Sequence, residues 1–174
     1  MRILLISANR EQIPDPIFPL GLAYVAAAVQ RAGHTVDIAD LCFGTNPLPD
    51  LGKQVDQFQP DIVGLSLRNV DNAAYPRNVD YLEQHRELVD TLRALTDAPV
   101  LLGGSGFSIM PGQYMAVLDA DWGIIGEGER ARSVVADLGH FLLAGRLVVQ
   151  APDLAEDLRQ RRARRGGVHV GRGP

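Results

Sequence analysis

Short apolar runs alternate with helix-patterned segments along most of the chain, and no other feature restricts the fold as much. The runs fall at 2–7, 35–39, 61–66, 99–102 and 121–125. The first helical segment, 19–32, opens on Pro19 and is followed by Gly33; proline suits a first helical turn and glycine the position past a helix end. The second, 49–58, puts Leu51, Val55 and Phe58 on one side. The third, 81–95, gathers Leu82, Leu88, Val89, Leu92 and Leu95 on one face and leaves Glu83, Gln84, Arg86 and Glu87 elsewhere. Further helices are expected at 111–118 and 129–143. Such alternation builds a parallel sheet, because each helical crossover carries the chain back to the edge where strands begin. The expected fold is α/β: a doubly wound parallel sheet of about five strands, flavodoxin-like or Rossmann-like, with the flavodoxin-like strand order.

A single domain is expected at 1–145, followed by a basic, partly disordered tail at 146–174. The formal charge is −4, but ten basic and eighteen acidic residues precede Arg146, whereas seven arginines face Asp153, Glu156 and Asp157 from there on. An acidic body argues against nucleic acid as a partner. No apolar run reaches the roughly 18–20 residues of a membrane span. The apolar start, 1–7, is cut off by Asn9, Arg10 and Glu11 too early for a signal peptide, so a cytoplasmic location is expected.

In a parallel sheet, the corners after the strands gather on one edge, where open α/β sheets bind their ligands. Four corners here are unusual: 9–20, 67–80, 103–111 and 126–129. The strongest is 103–111, which holds Gly103, Gly104 and Gly106 together with Ser105, Phe107 and Ser108. Three glycines within four residues exceed the needs of a plain turn and suggest close approach of backbone to a large cofactor. The segment is not a Walker A loop, since no Lys-Ser or Lys-Thr follows. It is not a dinucleotide fingerprint either, because Ile109 stands where the third glycine belongs. The 67–80 connection is long for a compact domain and polar, with Arg68, Asn69, Asp71, Asn72, Tyr75 and Arg77. Gly126, Glu127, Gly128 and Glu129 close the fifth strand; carboxylates there suit a helix start, or ribose hydroxyls and amides.

His34, His85, His140 and His169 show no metal-ligand spacing and are expected on the surface, His85 on the polar side of its helix. Cys42, the lone cysteine, can form neither an internal disulfide nor a thiolate cluster and is expected to pack.

Pro19-Leu20-Gly21-Leu22-Ala23-Tyr24 with Gly33-His34-Thr35-Val36, the run DIVGLSLRNVD at 61–71, GGSGFSIMP at 103–111 and GEGE at 126–129 appear in that order. Together they resemble the cobalamin-binding amino-terminal domains of radical SAM proteins over residues 1–143. The resemblance implies a flavodoxin-like domain that binds cobalamin at the carboxyl edge of its sheet. It would place the nucleotide tail along 103–108, the corrin over Leu20, Gly21 and the stretch Ser66, Leu67, Arg68 and Asn69, and Arg68 under the cobalt face. Gly126, Glu127 and Gly128 would complete the binding residues.

The chain departs from that family pattern twice. It lacks the DxHxxG histidine that ligates cobalt in cobalamin-dependent mutases and methionine synthases, so no histidine of the 9–16 loop would reach the metal. It also lacks CxxxCxxC, so no iron–sulfur cluster is expected on this chain. The implied role is a cobalamin (corrinoid) module without autonomous catalysis, isolated or truncated, serving methyl transfer or a related reaction with a separate radical SAM catalytic subunit. Two other readings stay open: a flavin or nucleotide in the same cleft, and a truncated fragment without catalysis.

Overall fold

A computed structural model describes residues 1–43, 46–72, 76 and 78–126, and the backbone of 147–150. The elements run β1 (Arg2–Ser7), α1 (Leu20–Arg31), β2 (Thr35–Asp40), α2 (Pro47–Phe58), β3 (Ile62–Ser66), α3 (Leu82–Leu95), β4 (Val100–Gly103), α4 (Ser105–Ile109), α5 (Pro111–Val117), β5 (Trp122–Ile125) and β6 (Leu147–Gln150). Among the described residues the sheet has six parallel strands in the order β2-β1-β3-β4-β5-β6. The first five follow the flavodoxin-like order expected from the sequence.

Two expectations change. Residues 147–150, assigned to the tail, form a sixth strand in register with β5, Trp122 opposite Leu147 and Ile125 opposite Gln150. The glycine corner also carries a five-residue helix, α4, before the helix that opens on Pro111. The helix expected at 129–143 and the rest of the tail lie outside the described residues.

The strands are apolar on both faces because both faces are covered. In β1, Leu4 and Ile6 face a core shared with Leu51, Val55, Leu88, Leu92 and Phe107. Ile3 and Leu5 point the other way, toward Leu22, Ala26 and Val29 of α1. This division follows from the winding. The chain moves from β1 to β2 in one direction and returns past β1 to β3, so right-handed crossovers place α1 and α2 on opposite faces.

The amino-terminal edge of the sheet is fastened by carboxylates. Asp61, just before β3, accepts the Arg2 backbone N–H at 2.6 Å, which holds its carboxyl below the usual carboxylate range. Asp121, just before β5, accepts the Val100 N–H at 2.7 Å and Arg93 Nη2 at 2.7 Å. The carboxyl edge is built differently.

Candidate functional site

At β1 the chain leaves toward β2 and comes back to β3, so the corners after β1 and β3 part company. Ligands of open α/β sheets bind at such a reversal. A narrow cleft lies there, lined by Ala8, Asn9 and Arg10 after β1, by Arg68 and Asn69 after β3, and by Tyr81, Gln84 and His85 at the start of α3. Its volume is about 10 Å³, which admits a single water-sized group. A large planar ligand does not fit inside this cleft.

The rim suits such a ligand. Ile13 and Phe18 of the loop after β1 are 86% and 66% exposed. Leu20 at the start of α1, Phe43 after β2 and Ile109 of α4 are also exposed. All of them sit in segments that follow strand ends, on the same edge as the cleft. Single exposed apolar side chains are ordinary; several of them on segments that leave one sheet edge give that edge an apolar character.

Beneath the rim runs a polar cluster. The long connection after β3 is zipped near its ends: Asn72 N–H donates to the Val79 carbonyl at 3.1 Å and Tyr81 N–H to the Val70 carbonyl at 3.0 Å. This seats Tyr81, whose hydroxyl donates to Glu11 Oε1 at 2.6 Å. Burial first, and the Glu11 bond second, raise the Tyr81 hydroxyl above its ordinary value. The loop after β1 is held from the other side by the Cys42 thiol, which donates to the Glu11 carbonyl at 3.2 Å, and by Gln12, which donates to the Cys42 carbonyl. Burial, Asp40 and Glu11 push the Cys42 thiol up, so it packs as expected and stays protonated.

His85 packs between Tyr81 and Tyr114, ring centroids 6.4 and 5.7 Å away. It is buried, 5% exposed, which corrects the expectation of a surface histidine. Burial and the nearby Arg10 charge, opposed by Asp80, lower its pKa to about 4, so the imidazole is neutral at physiological pH. His85 Nδ1, Arg10 Nη2 and the Tyr114 hydroxyl are buried without hydrogen-bond partners among the described residues. Two of these orphans belong to residues that line the cleft.

The glycine corner has a packing reason for its glycines. Gly104 has φ +96, a left-handed conformation that favours glycine. A Cβ on Gly104 would lie 2.6 Å from the Leu67 carbonyl oxygen, and one on Gly106 would lie 3.0 Å from it. The space that these glycines leave is filled by the backbone of 67–69. The Gly106 N–H donates to the Leu67 carbonyl at 2.8 Å, and the Ser108 N–H to the Gly104 carbonyl at 3.0 Å. The corner therefore locks β3 and β4 together. Ser105 Oγ donates to the Arg68 carbonyl at 2.8 Å. Ser108 Oγ donates to the Gly104 carbonyl at 2.9 Å and accepts the Gly126 N–H at 3.0 Å, tying β5 to the same corner.

The structure thus brings most of the expected residues onto one edge. Ser7, Ser66 and Gly103 stand side by side in register at the ends of β1, β3 and β4. Leu20, Gly21, Arg68, Ser105 and Gly126 are exposed there, and Asn69 lines the cleft. Leu67 and Phe107 are fully buried in the core, so their side chains support the rim from below. Glu127 and Gly128 lie outside the described residues. Sequence reasoning passed over Arg10, Tyr81, Gln84 and His85. His85 had a signal: it precedes Leu88, Val89 and Leu92 by three, four and seven residues, the spacing of one buried helical face.

Comparison with known proteins bears on this edge. A family model described as "B12 binding domain" matches residues 6–136. Tryptophan 2-C-methyltransferase of Streptomyces laurentii is 30% identical over 142 residues, covering 79% of this chain and 23% of that protein. The radical S-adenosylmethionine methyltransferase TsrM of Kitasatospora setae, with tryptophan substrate and a SAM analogue bound, superposes with a TM-score of 0.73 at 30% identity, over 80% of this chain and 26% of that one. Its structure with cobalamin and a [4Fe-4S] cluster gives 0.67 at 28% identity, over 80% and 24%. The chain spans about a quarter of the length of these relatives. The sheet order, the cleft at its reversal and a family match across most of the sequence lead to one assignment: this chain belongs to the B12-binding domain family.

Proposed function

We propose that this chain binds cobalamin across the carboxyl edge of its sheet. The observation that carries the reading is the pairing, on one edge, of exposed apolar side chains with a polar cleft whose Arg10 and His85 each carry a buried nitrogen without a partner among the described residues. A corrin offers the matching chemistry, a broad apolar plane fringed by carboxamides. Leu20 and Gly21 would lie against that plane with Phe18 beside them. Arg68, Asn69 and Ser105 would serve its polar fringe. Gly104, Gly106, Leu67 and Phe107 hold the rim in shape from behind.

When bound, the cofactor supplies a cobalt able to carry a methyl group. The residues of this chain bind and orient the ring and exclude water from one of its faces. The 9–16 loop carries no histidine, so this reading holds the cofactor without a histidine from that loop. Similarity to a tryptophan methyltransferase supports a role in methyl transfer. The catalytic radical SAM part would be contributed by another segment or subunit.

Reconstitution tests the reading. Purified protein mixed with hydroxocobalamin and then desalted should keep the corrin absorption bands at about one equivalent. Protein that emerges colourless would refute the proposal. Retention of a flavin in parallel, with cobalamin lost, would replace the ligand.

A further inference from the structure

We propose that Asp37 and Gln54 form a clip that closes the open edge of the sheet, so that a second copy of this chain cannot add a strand along β2. The clip does not depend on the cobalamin reading.

Among the described residues, β2 stands at one end of the strand order and pairs with β1 alone. In a parallel ladder, alternate residues turn both backbone groups toward the neighbouring strand. Thr35 N–H donates to the Met1 carbonyl at 3.0 Å, and Leu41 N–H to the Ser7 carbonyl at 3.2 Å, so the odd-numbered residues face β1. Val36, Ile38 and Asp40 therefore turn their N–H and C=O groups away from the sheet. Such a row is a template for a further strand. The side chains favour pairing too: Thr35, Val36 and Ile38 are β-branched, and Ile38 is 41% exposed. Two copies of this edge could meet antiparallel about a two-fold axis, each offering the groups that the other lacks.

The middle of the row is already taken. Asp37 Oδ1 accepts the Ile38 N–H at 2.9 Å. Gln54 of α2 donates from Nε2 to the Ile38 carbonyl at 3.2 Å and to Asp37 Oδ2 at 2.7 Å. One carboxylate thus joins strand to helix, and side chains of the same molecule occupy both outward groups of Ile38. An incoming strand would have to displace both side chains to pair there. Without Ile38 it meets only Val36 and Asp40, at the two ends, and no continuous ladder forms. The carboxylates of Asp37 and Asp40 add a second obstacle, because two β2 edges brought together oppose like charges.

Two measurements test the clip. Light scattering should give the wild-type protein one molar mass as concentration rises. The double variant Asp37→Thr with Gln54→Ala should climb toward a doubling over the same range, and Gln54→Ala alone provides the comparison should the double variant fail to fold. Asp90→Thr removes the same charge from an exposed site on α3 and should keep the wild-type mass. Amide exchange followed by NMR should find the Ile38 N–H of the wild type about tenfold slower than those of Val36 and Asp40, the effect of one hydrogen bond. Variants that hold the wild-type mass throughout would overturn the proposal. So would association of Asp90→Thr to the same extent, or a wild-type Ile38 amide that exchanges no more slowly than its two outward neighbours.

Discussion

His85 shows what a single buried polar residue contributes. Its folded pKa, about 4, lies below the ordinary value of about 6.5. Between those values the unfolded chain takes up a proton that the folded chain does not. The contribution is therefore complete above pH 6.5 and shrinks as pH falls toward 4, by about 3 kcal/mol in all. Arg10 and Asp80 are the charges that face the ring, and they act in opposite directions. Urea unfolding between pH 7.5 and 4.5 should show this loss in the wild type and a shallower slope in His85→Phe. Equal slopes would contradict the assignment of a neutral buried imidazole. The sequence carried the position of this residue on the apolar face of α3, but histidine reads as polar, and that reading overrides spacing unless burial is observed. Glycine taught the converse lesson. Gly104 and Gly106 were legible as a place of close approach, yet the sequence could not tell whether a ligand or the chain's own Leu67–Asn69 backbone makes that approach.

At the scale of elements, Phe107 of α4 packs directly on β5. The ring of Phe107 covers Gly123, and a Cβ on that glycine would come within 2.2 Å of the ring. Ser108 adds a hydrogen bond from the same short helix to Gly126 at the end of β5. Gly123→Ala should therefore destabilise the protein by about 1–3 kcal/mol through overpacking. Adding Phe107→Leu should recover part of that loss, because the two sites share one volume. Chemical denaturation of the two single variants and the double variant measures the coupling; strict additivity would mean that α4 is seated by something else. The strands were legible to within a residue or two, because runs such as Ile62–Ser66 are buried on both faces and need continuous apolar character. α4 was not, since five residues that include a glycine carry no helical period. β6 was not either: four residues beside an arginine-rich stretch give too short a pattern to weigh against their surroundings.

Over the whole molecule the two edges of the sheet divide the labour. The amino-terminal edge closes on itself through Asp61 with Arg2 and Asp121 with Arg93. The carboxyl edge ends in exposed Ile13, Phe18, Leu20 and Ile109, with Arg10 and His85 atoms that have no partner among the described residues. Strand order made that edge foreseeable from sequence; its narrow, water-sized cleft and its apolar rim depend on packing between segments far apart in the chain. Hydrogen–deuterium exchange with and without hydroxocobalamin tests binding and its location together. The account expects slower exchange in peptides that cover 8–21, 67–72 and 103–110, with 59–61, 96–99 and 119–121 at the opposite edge unchanged. Exchange that hydroxocobalamin leaves untouched, or slows only at that opposite edge, would contradict it.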